Sequence, residues 1–171
     1  NTGTIAAATD GFGGGSTTAI LIDAGGSLES LENSGSILAI ATTTNVSGSL
    51  GVLTACAICD FSGTLTSLIN SGTIKATATT LDNGNQVAIA ADLSHVTAGT
   101  DVVFLNTGDV VGDVLFGASN DKLDVKEDGG VTGDISFGSG TNQLNIIGTV
   151  SSTPQVAIVD GIITYDSTGG G

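Results

Sequence analysis

The chain has 171 residues, of which 17 are acidic and 3 basic, for a formal charge of −14. The three cations are Lys75, Lys122 and Lys126; no cluster can neutralise phosphates, which excludes nucleic-acid binding and argues against contact with an anionic membrane surface. Mean hydropathy is nevertheless positive and no apolar run is long enough to cross a bilayer as a helix, so the composition predicts one ordered, strand-rich domain over residues 1–168, with 169–171 as a flexible glycine tail.

In chain order, the predicted elements start with NTGTI at Asn1 and return as NSGSI at Asn33, NSGTI at Asn70 and NTGDV at Asn106. With the glycine fixed, Gly129 and Gly148 extend the series begun by Gly3, Gly35, Gly72 and Gly108, at spacings of 32, 37, 36, 21 and 19 residues. Two residues on stand Ile5, Ile37, Ile74, Val110, Val131 and Val150, all β-branched. Four residues on stand the small Ala7, Ala39, Ala76, Gly112, Gly133 and Ser152, and four before come the apolar Leu31, Leu68, Phe104, Val125 and Leu144. Such columns predict a solenoid in which equivalent residues stack from turn to turn. The glycine marks a bend that needs positive φ or close backbone approach. The β-branched and small residues share one parity, and so face inward on a strand. Asn1, Asn33, Asn70 and Asn106 form a predicted amide ladder that stops where Glu127 and Ile146 replace asparagine.

A second strand per turn ends in aspartate, at Ile20–Asp23, Ala57–Asp60, Ile89–Asp92 and Ile158–Asp160. A third precedes each asparagine, as in SLESLEN (27–33) and TLTSLIN (64–70). Loops are expected at 11–17, 42–50 and 79–86. From Gly108 they shrink, and 110–125 aligns with 131–146, placing Phe116 over Phe137 and Leu123 over Leu144. The predicted fold is all-β: a parallel β-helix of about six turns, each of three short strands.

These repeats carry a resemblance. SGTLTSLINSGTIKATATT (62–80) with NQVAIAADLS (85–94), and GDVLFGASNDKLDV (112–125) with GDISFGSGTNQLNI (133–146), resemble repeats in the passenger domains of Gram-negative autotransporters. The resemblance covers nearly the whole chain. It implies a secreted, right-handed parallel β-helix displayed at the bacterial cell surface, associated with the outer membrane. No basic-then-apolar leader precedes Asn1, so a secretion signal is expected to lie outside these residues or to have been removed.

Residues with reactive chemistry are few. Cys56 and Cys59 form a CxxC motif, but in a straight strand they point to opposite faces and stand too far apart to bridge. Two free, partly buried small residues are therefore the favoured reading, with a disulfide in a kinked segment or a metal site as the alternatives. His95 is the sole histidine and reads as a loop residue without catalytic partners. Asp109, Asp113 and Asp134 lie near bends; Asp113 and Asp134 stack at one offset, where like charges could raise a pKa, but turn capping is the simpler role. GASNDKLDV (117–125) has a faint likeness to a calcium-binding nonapeptide, though it lacks the double glycine and Asn142 stands where the next aspartate should be. Asn45-Val46-Ser47 is a glycosylation sequon, read as accidental.

The sequence therefore assigns no catalytic, cofactor-binding or metal residue. The expected function is a non-catalytic extracellular structural or adhesive solenoid, a stalk or a filament subunit. Its expected partners are its own terminal turns stacked end to end, or further turns of a longer chain, and a host or neighbouring-cell surface. Alternatives are a polysaccharide lyase or hydrolase and a glycan- or ice-binding face built on Thr42, Thr43, Thr44, Thr77, Thr79 and Thr80.

Overall fold

The computed structural model describes residues 1–11, 14–43, 51–80, 85–147, 156–157 and 161–166. The first turn comprises β1 (Thr4–Gly11), β2 (Gly15–Ile22) and β3 (Ser30–Asn33). Then follow β4 (Ser36–Thr43), β5 (Leu53–Asp60) and β6 (Ser67–Asn70), and β7 (Thr73–Thr79), β8 (Gln86–Leu93) and β9 (Val103–Asn106). Two shorter turns are built from β10 (Asp109–Val111), β11 (Asp113–Phe116) and β12 (Lys122–Val125), and from β13 (Gly130–Thr132), β14 (Ile135–Ser136) and β15 (Asn142–Ile147). β16 (Val156–Ala157) and β17 (Gly161–Asp166) belong to a sixth. As far as β15 every third strand pairs in parallel, and β16 and β17 pair in parallel with β14 and β15, giving sheets ordered β1-β4-β7-β10-β13, β2-β5-β8-β11-β14-β16 and β3-β6-β9-β12-β15-β17. This is a parallel β-helix with three strands per turn.

The β-branched column stacks in register as Ile5, Ile37, Ile74, Val110 and Val131, and Ile37, Ile74, Val110 and Val131 are buried. Burial of each such side chain contributes about 2 kcal/mol. The anchor glycines serve close approach and not positive φ. A Cβ on Gly35 would collide with the carbonyl oxygen of Gly3, one on Gly72 with that of Gly35, and one on Gly108 with that of Gly72. Positive φ occurs four residues after the anchor in the short turns, at Gly112 (116°) and Gly133 (147°). The column of small residues therefore has two meanings: inward alanine where a strand continues, and a left-handed bend where it stops.

Two expectations of register are corrected, and the bounds of the expected loops with them. Phe104 lies opposite Leu123, not Val125, and Val125 lies opposite Asn106. The corner Lys126–Gly129 has two residues more than Thr107–Gly108, so counting back four from Gly129 stops two residues short of Leu123. In the second sheet Asp60 lies opposite Ile22 and Asp92 opposite Cys59, one residue away from a common aspartate column; Asp23 falls beyond β2 and is exposed. The strands also reach into the expected loops, since β1 and β2 include Gly11 and Gly15–Thr17, β4 includes Thr42 and Thr43, and β7 and β8 include Thr79 and Gln86. In these long turns β4 packs against β5, and the narrow interior is filled by Ala39, Ala41, Leu53, Ala55 and Ala57, all wholly buried. Most of these are alanines because two layers this close leave little room, and that selects the small inward column.

Candidate functional site

Chemistry on a β-helix would sit at its corners or on a sheet face, and most of the buried polar side chains among the described residues lie at the corners or at strand ends. The first corner carries the asparagine ladder. Asn1 Nδ2 donates to Asn33 Oδ1 (2.9 Å), Asn33 to Asn70 (2.8 Å) and Asn70 to Asn106 (2.8 Å). Asn106 then donates to the Gly130 carbonyl (3.0 Å) and the ladder ends, with Val125 in the next position. Asn33, Asn70 and Asn106 are buried; their amides satisfy one another and the Gly and strand backbone beside them, as burial of a polar group requires.

A second pair of polar columns, which the sequence reading missed, lines the corner before the third sheet. Asp121 Oδ1 accepts the Val102 N–H (2.9 Å), and Asn142 Oδ1 accepts the Asp121 N–H (2.8 Å). Outside them, Asp101 accepts from the Asn120 N–H (3.0 Å) and Asn120 from the Thr141 N–H (2.8 Å). The signal was present as Asn or Asp at 101, 120, 121 and 142, but no shared motif flags it. Asp121 is buried, and its Oδ2 makes no hydrogen bond. Burial pushes its carboxyl above the usual carboxylate range; the Val102 and Gly117 backbone groups oppose this and Asp101 adds to it. Asp124 goes the other way. Burial raises it, but the hydrogen bond from Asn145 (2.6 Å) and the charges of Lys122 (2.9 Å) and Lys126 outweigh this and hold it below the usual range. Among the described residues, no group of three His, Cys, Asp or Glu side chains is gathered to hold a metal.

His95 is not without neighbours. Ser94 Oγ lies 3.4 Å and Asp92 Oδ1 3.9 Å from its Nδ1. A serine–histidine–aspartate relay needs its serine and aspartate on different ring nitrogens, whereas both lie on Nδ1 here. Ser94 instead donates its hydroxyl (2.6 Å) and its N–H (3.1 Å) to Asp92. The preceding turn repeats this with Ser62 and Asp60 at 2.6 and 3.0 Å, and glycine stands in the place of histidine. A corner that forms equally well without the imidazole is a structural corner. The imidazole meets the Phe61 ring edge to face, at 4.9 Å and 80°.

Cys56 and Cys59 are joined in a disulfide, which corrects the expectation of free thiols. The physical reason is that β5 is not straight. Pairing to β2 and β8 skips Ala57, and Ala55 to Asp60 are all buried instead of alternating. The Cα atoms of Cys56 and Cys59 are 6.1 Å apart, against roughly 10 Å for three residues of extended strand. Of the aspartates near bends, Asp113 Oδ1 accepts the Asp134 N–H at 2.9 Å, a capping role. Thr42 and Thr79 stack in register, but Thr77 stacks on Ile40 and Thr43 is buried, so the described threonines form no continuous outward array. Thr44 and the sequon at 45–47 lie outside the described residues.

No protein-family model, curated protein or solved structure matches the chain.

Proposed function

We propose that the chain is a non-catalytic structural or adhesive β-solenoid displayed outside the cell, of the autotransporter-passenger kind, serving as a stalk or a filament subunit. The observation that carries this reading is the employment of the side chains. Asp60, Asp92, Asp113, Asp121, Ser62 and Ser94 all accept or donate hydrogen bonds that fix corners. Glycoside hydrolysis needs two carboxylates facing one substrate, and a nucleophile needs a base. The two-residue period along each strand and the polar ladders at the corners instead build a stiff, extensible rod. Its terminal strands offer edges on which further turns, of the same chain or of an identical subunit, can stack by main-chain hydrogen bonds.

The test combines shape and activity. Negative-stain imaging and sedimentation of the purified protein should give rods or head-to-tail filaments, and cell-surface binding should be independent of added calcium. Incubation with acidic polysaccharides should release no reducing ends or unsaturated products. Steady turnover abolished by Asp113→Asn would overturn the reading in favour of a carbohydrate-active enzyme.

A further inference from the structure

The helix changes width abruptly between its third and fourth turns. β7 pairs with β4 along its whole length, Thr73 to Thr79, but with β10 only at Thr73, Ile74 and Lys75. β8 likewise pairs with β5 from Gln86, but with β11 only from Ile89 onward. Where the third turn carries Ala76 to Ala88, the fourth has the single bend Gly112, with Gly133 beneath it. The step leaves an open groove of about 400 Å³ between Ala76, Ala78 and Ala88 above and Gly112, Gly133 and Asp113 below.

The backbone polarity of this step follows from the bonds on either side. Thr73 N–H bonds back to Gly35, whereas the Gly72 carbonyl accepts the Asp109 N–H of the next turn. With a period of two, Thr77 and Thr79 face β4; the Ala76 N–H is taken by Val111, whose pairing with Lys75 uses it, so the Ala76 carbonyl and both the N–H and C=O of Ala78 turn towards the groove. The strand continuing β10 that would pair with Ala76 and Ala78 is absent from the fourth turn, because β10 ends at Val111. Ala78 is also partly uncovered: Ala41, which pairs with it, is wholly buried, while Ala78 is half-buried; Ala76, next to the end of β10, is buried.

We propose that this step is a docking site for an extended peptide strand from another protein. The strand adds to the free edge of β7 and carries small side chains inward and a cationic residue at Asp113. The chemistry of the groove selects this occupant. Alternate main-chain donors and acceptors are matched by another polypeptide in extended form, the mode of strand addition. The Ala78, Ala88, Gly112 and Gly133 surroundings leave room for alanine, serine or threonine. Asp113 Oδ1 accepts the Asp134 N–H, and among the described residues no lysine forms an ion pair with Asp113. A second copy of this chain is disfavoured as the occupant of this groove because two of its three lysines, Lys75 and Lys122, are already held in β7 and β12, and Lys126 stands beside Glu127 and Asp128. The proposal does not depend on whether the rod is adhesive or purely structural.

The test is a titration of the isotope-labelled protein with the synthetic peptide KTATATK, followed by amide NMR signals, with ETATATE as the charge-reversed control. Binding should shift Ala76–Thr79 and Gln86–Ala88 and slow hydrogen exchange at Ala78. Ala78→Pro removes only the N–H that faces the groove, since the β4 bonds come from its neighbours. It should leave the melting transition in place and weaken KTATATK about fivefold, the loss of roughly one hydrogen bond. Asp113→Asn retains an Oδ1 to accept the Asp134 N–H and should weaken binding about threefold, with less dependence on salt. Absence of shifts at millimolar peptide, shifts confined to other strands, or equal binding of ETATATE would overturn the proposal. So would self-association through this edge, abolished by Ala78→Pro, which would assign the groove to a second copy. Should Ala78→Pro fail to fold, hydrogen exchange at Ala78 in the unaltered protein decides: an unchanged rate under saturating peptide would overturn the proposal.

Discussion

Asn70 donates its side-chain amide to Oδ1 of Asn106 across 2.8 Å, and neither side chain is exposed to solvent. The same amide also reaches the carbonyls of Gly72 (3.1 Å) and Asp109 (3.3 Å), and its Oδ1 receives the amide of Asn33 (2.8 Å). One side chain thus ties three successive turns. Asn70→Ala should cost about 3 kcal/mol or more, because it leaves buried groups on both neighbours unpaired. Asn1→Ala, at the partly exposed end of the ladder, should cost about 1 kcal/mol. Urea titration of both variants measures the difference, and equal losses would show that the ladder does not act as a stacked unit.

The anchor glycines make a second contrast between interior and end. A Cβ at position 72 meets the Gly35 carbonyl oxygen and backbone, whereas one at position 3 meets nothing within 4 Å. Gly72→Ala should therefore force adjacent turns apart and cost several kcal/mol, roughly 4 or more. Gly3→Ala should be nearly neutral. Thermal melts by circular dichroism distinguish the two.

Ile74 and Lys75 are adjacent on β7 with opposite parity. Ile74 is wholly buried and Lys75 only half-buried. Ile74→Asp places an unpaired charge in the core and should prevent folding. Lys75→Asp should fold and melt within a few degrees of the parent. Similar melts for both would mean that the strand faces are misassigned.

The buried Asp121 is expected to reduce stability at neutral pH. Its folded pKa is raised, so its favourable contribution is present below the ordinary carboxylate value, about 3.9, and is lost as pH rises through the folded value. Asn142, one turn on, holds an amide whose Nδ2 donates to the Gly138 and Gly140 carbonyls at 3.2 and 3.3 Å. Gly138 and Gly140 stack on Gly117 and Ser119, so an amide at 121 finds equivalent acceptors. Asp121→Asn should raise stability by about 1 kcal/mol at neutral pH. The gain should shrink on acidification towards the ordinary carboxylate value. Asp124, whose pKa is lowered, contributes in the opposite sense in both proteins and cancels in the comparison. A gain independent of pH would contradict the assignment.

Much of this architecture was written in residue spacing. The NSGTI repeats defined the first strand of the first four turns, the parity that buries Ile37 and Ile74, and the asparagine ladder, because those features depend on local strand geometry and on identical residues meeting themselves one turn later; the copy expected at Gly148 lies outside the described residues. The stacking of Phe116 on Phe137, with ring centres 4.6 Å apart and planes 6° from parallel, was legible for the same reason. The bend at Ala57 that joins Cys56 to Cys59, the displacement of Val125 into the asparagine column and the Asp121–Asn142 ladder were not. Each depends on the length of a corner or on what a neighbouring turn presents, and neither appears as a motif within one repeat. The groove beside Ala78 likewise exists only because a wide turn was laid on a narrow one. Residue spacing fixed which side chains repeat; the stacking of unequal turns decided which backbone edges were left open, because a hydrogen-bonding edge is satisfied or exposed only by the turn that lies against it.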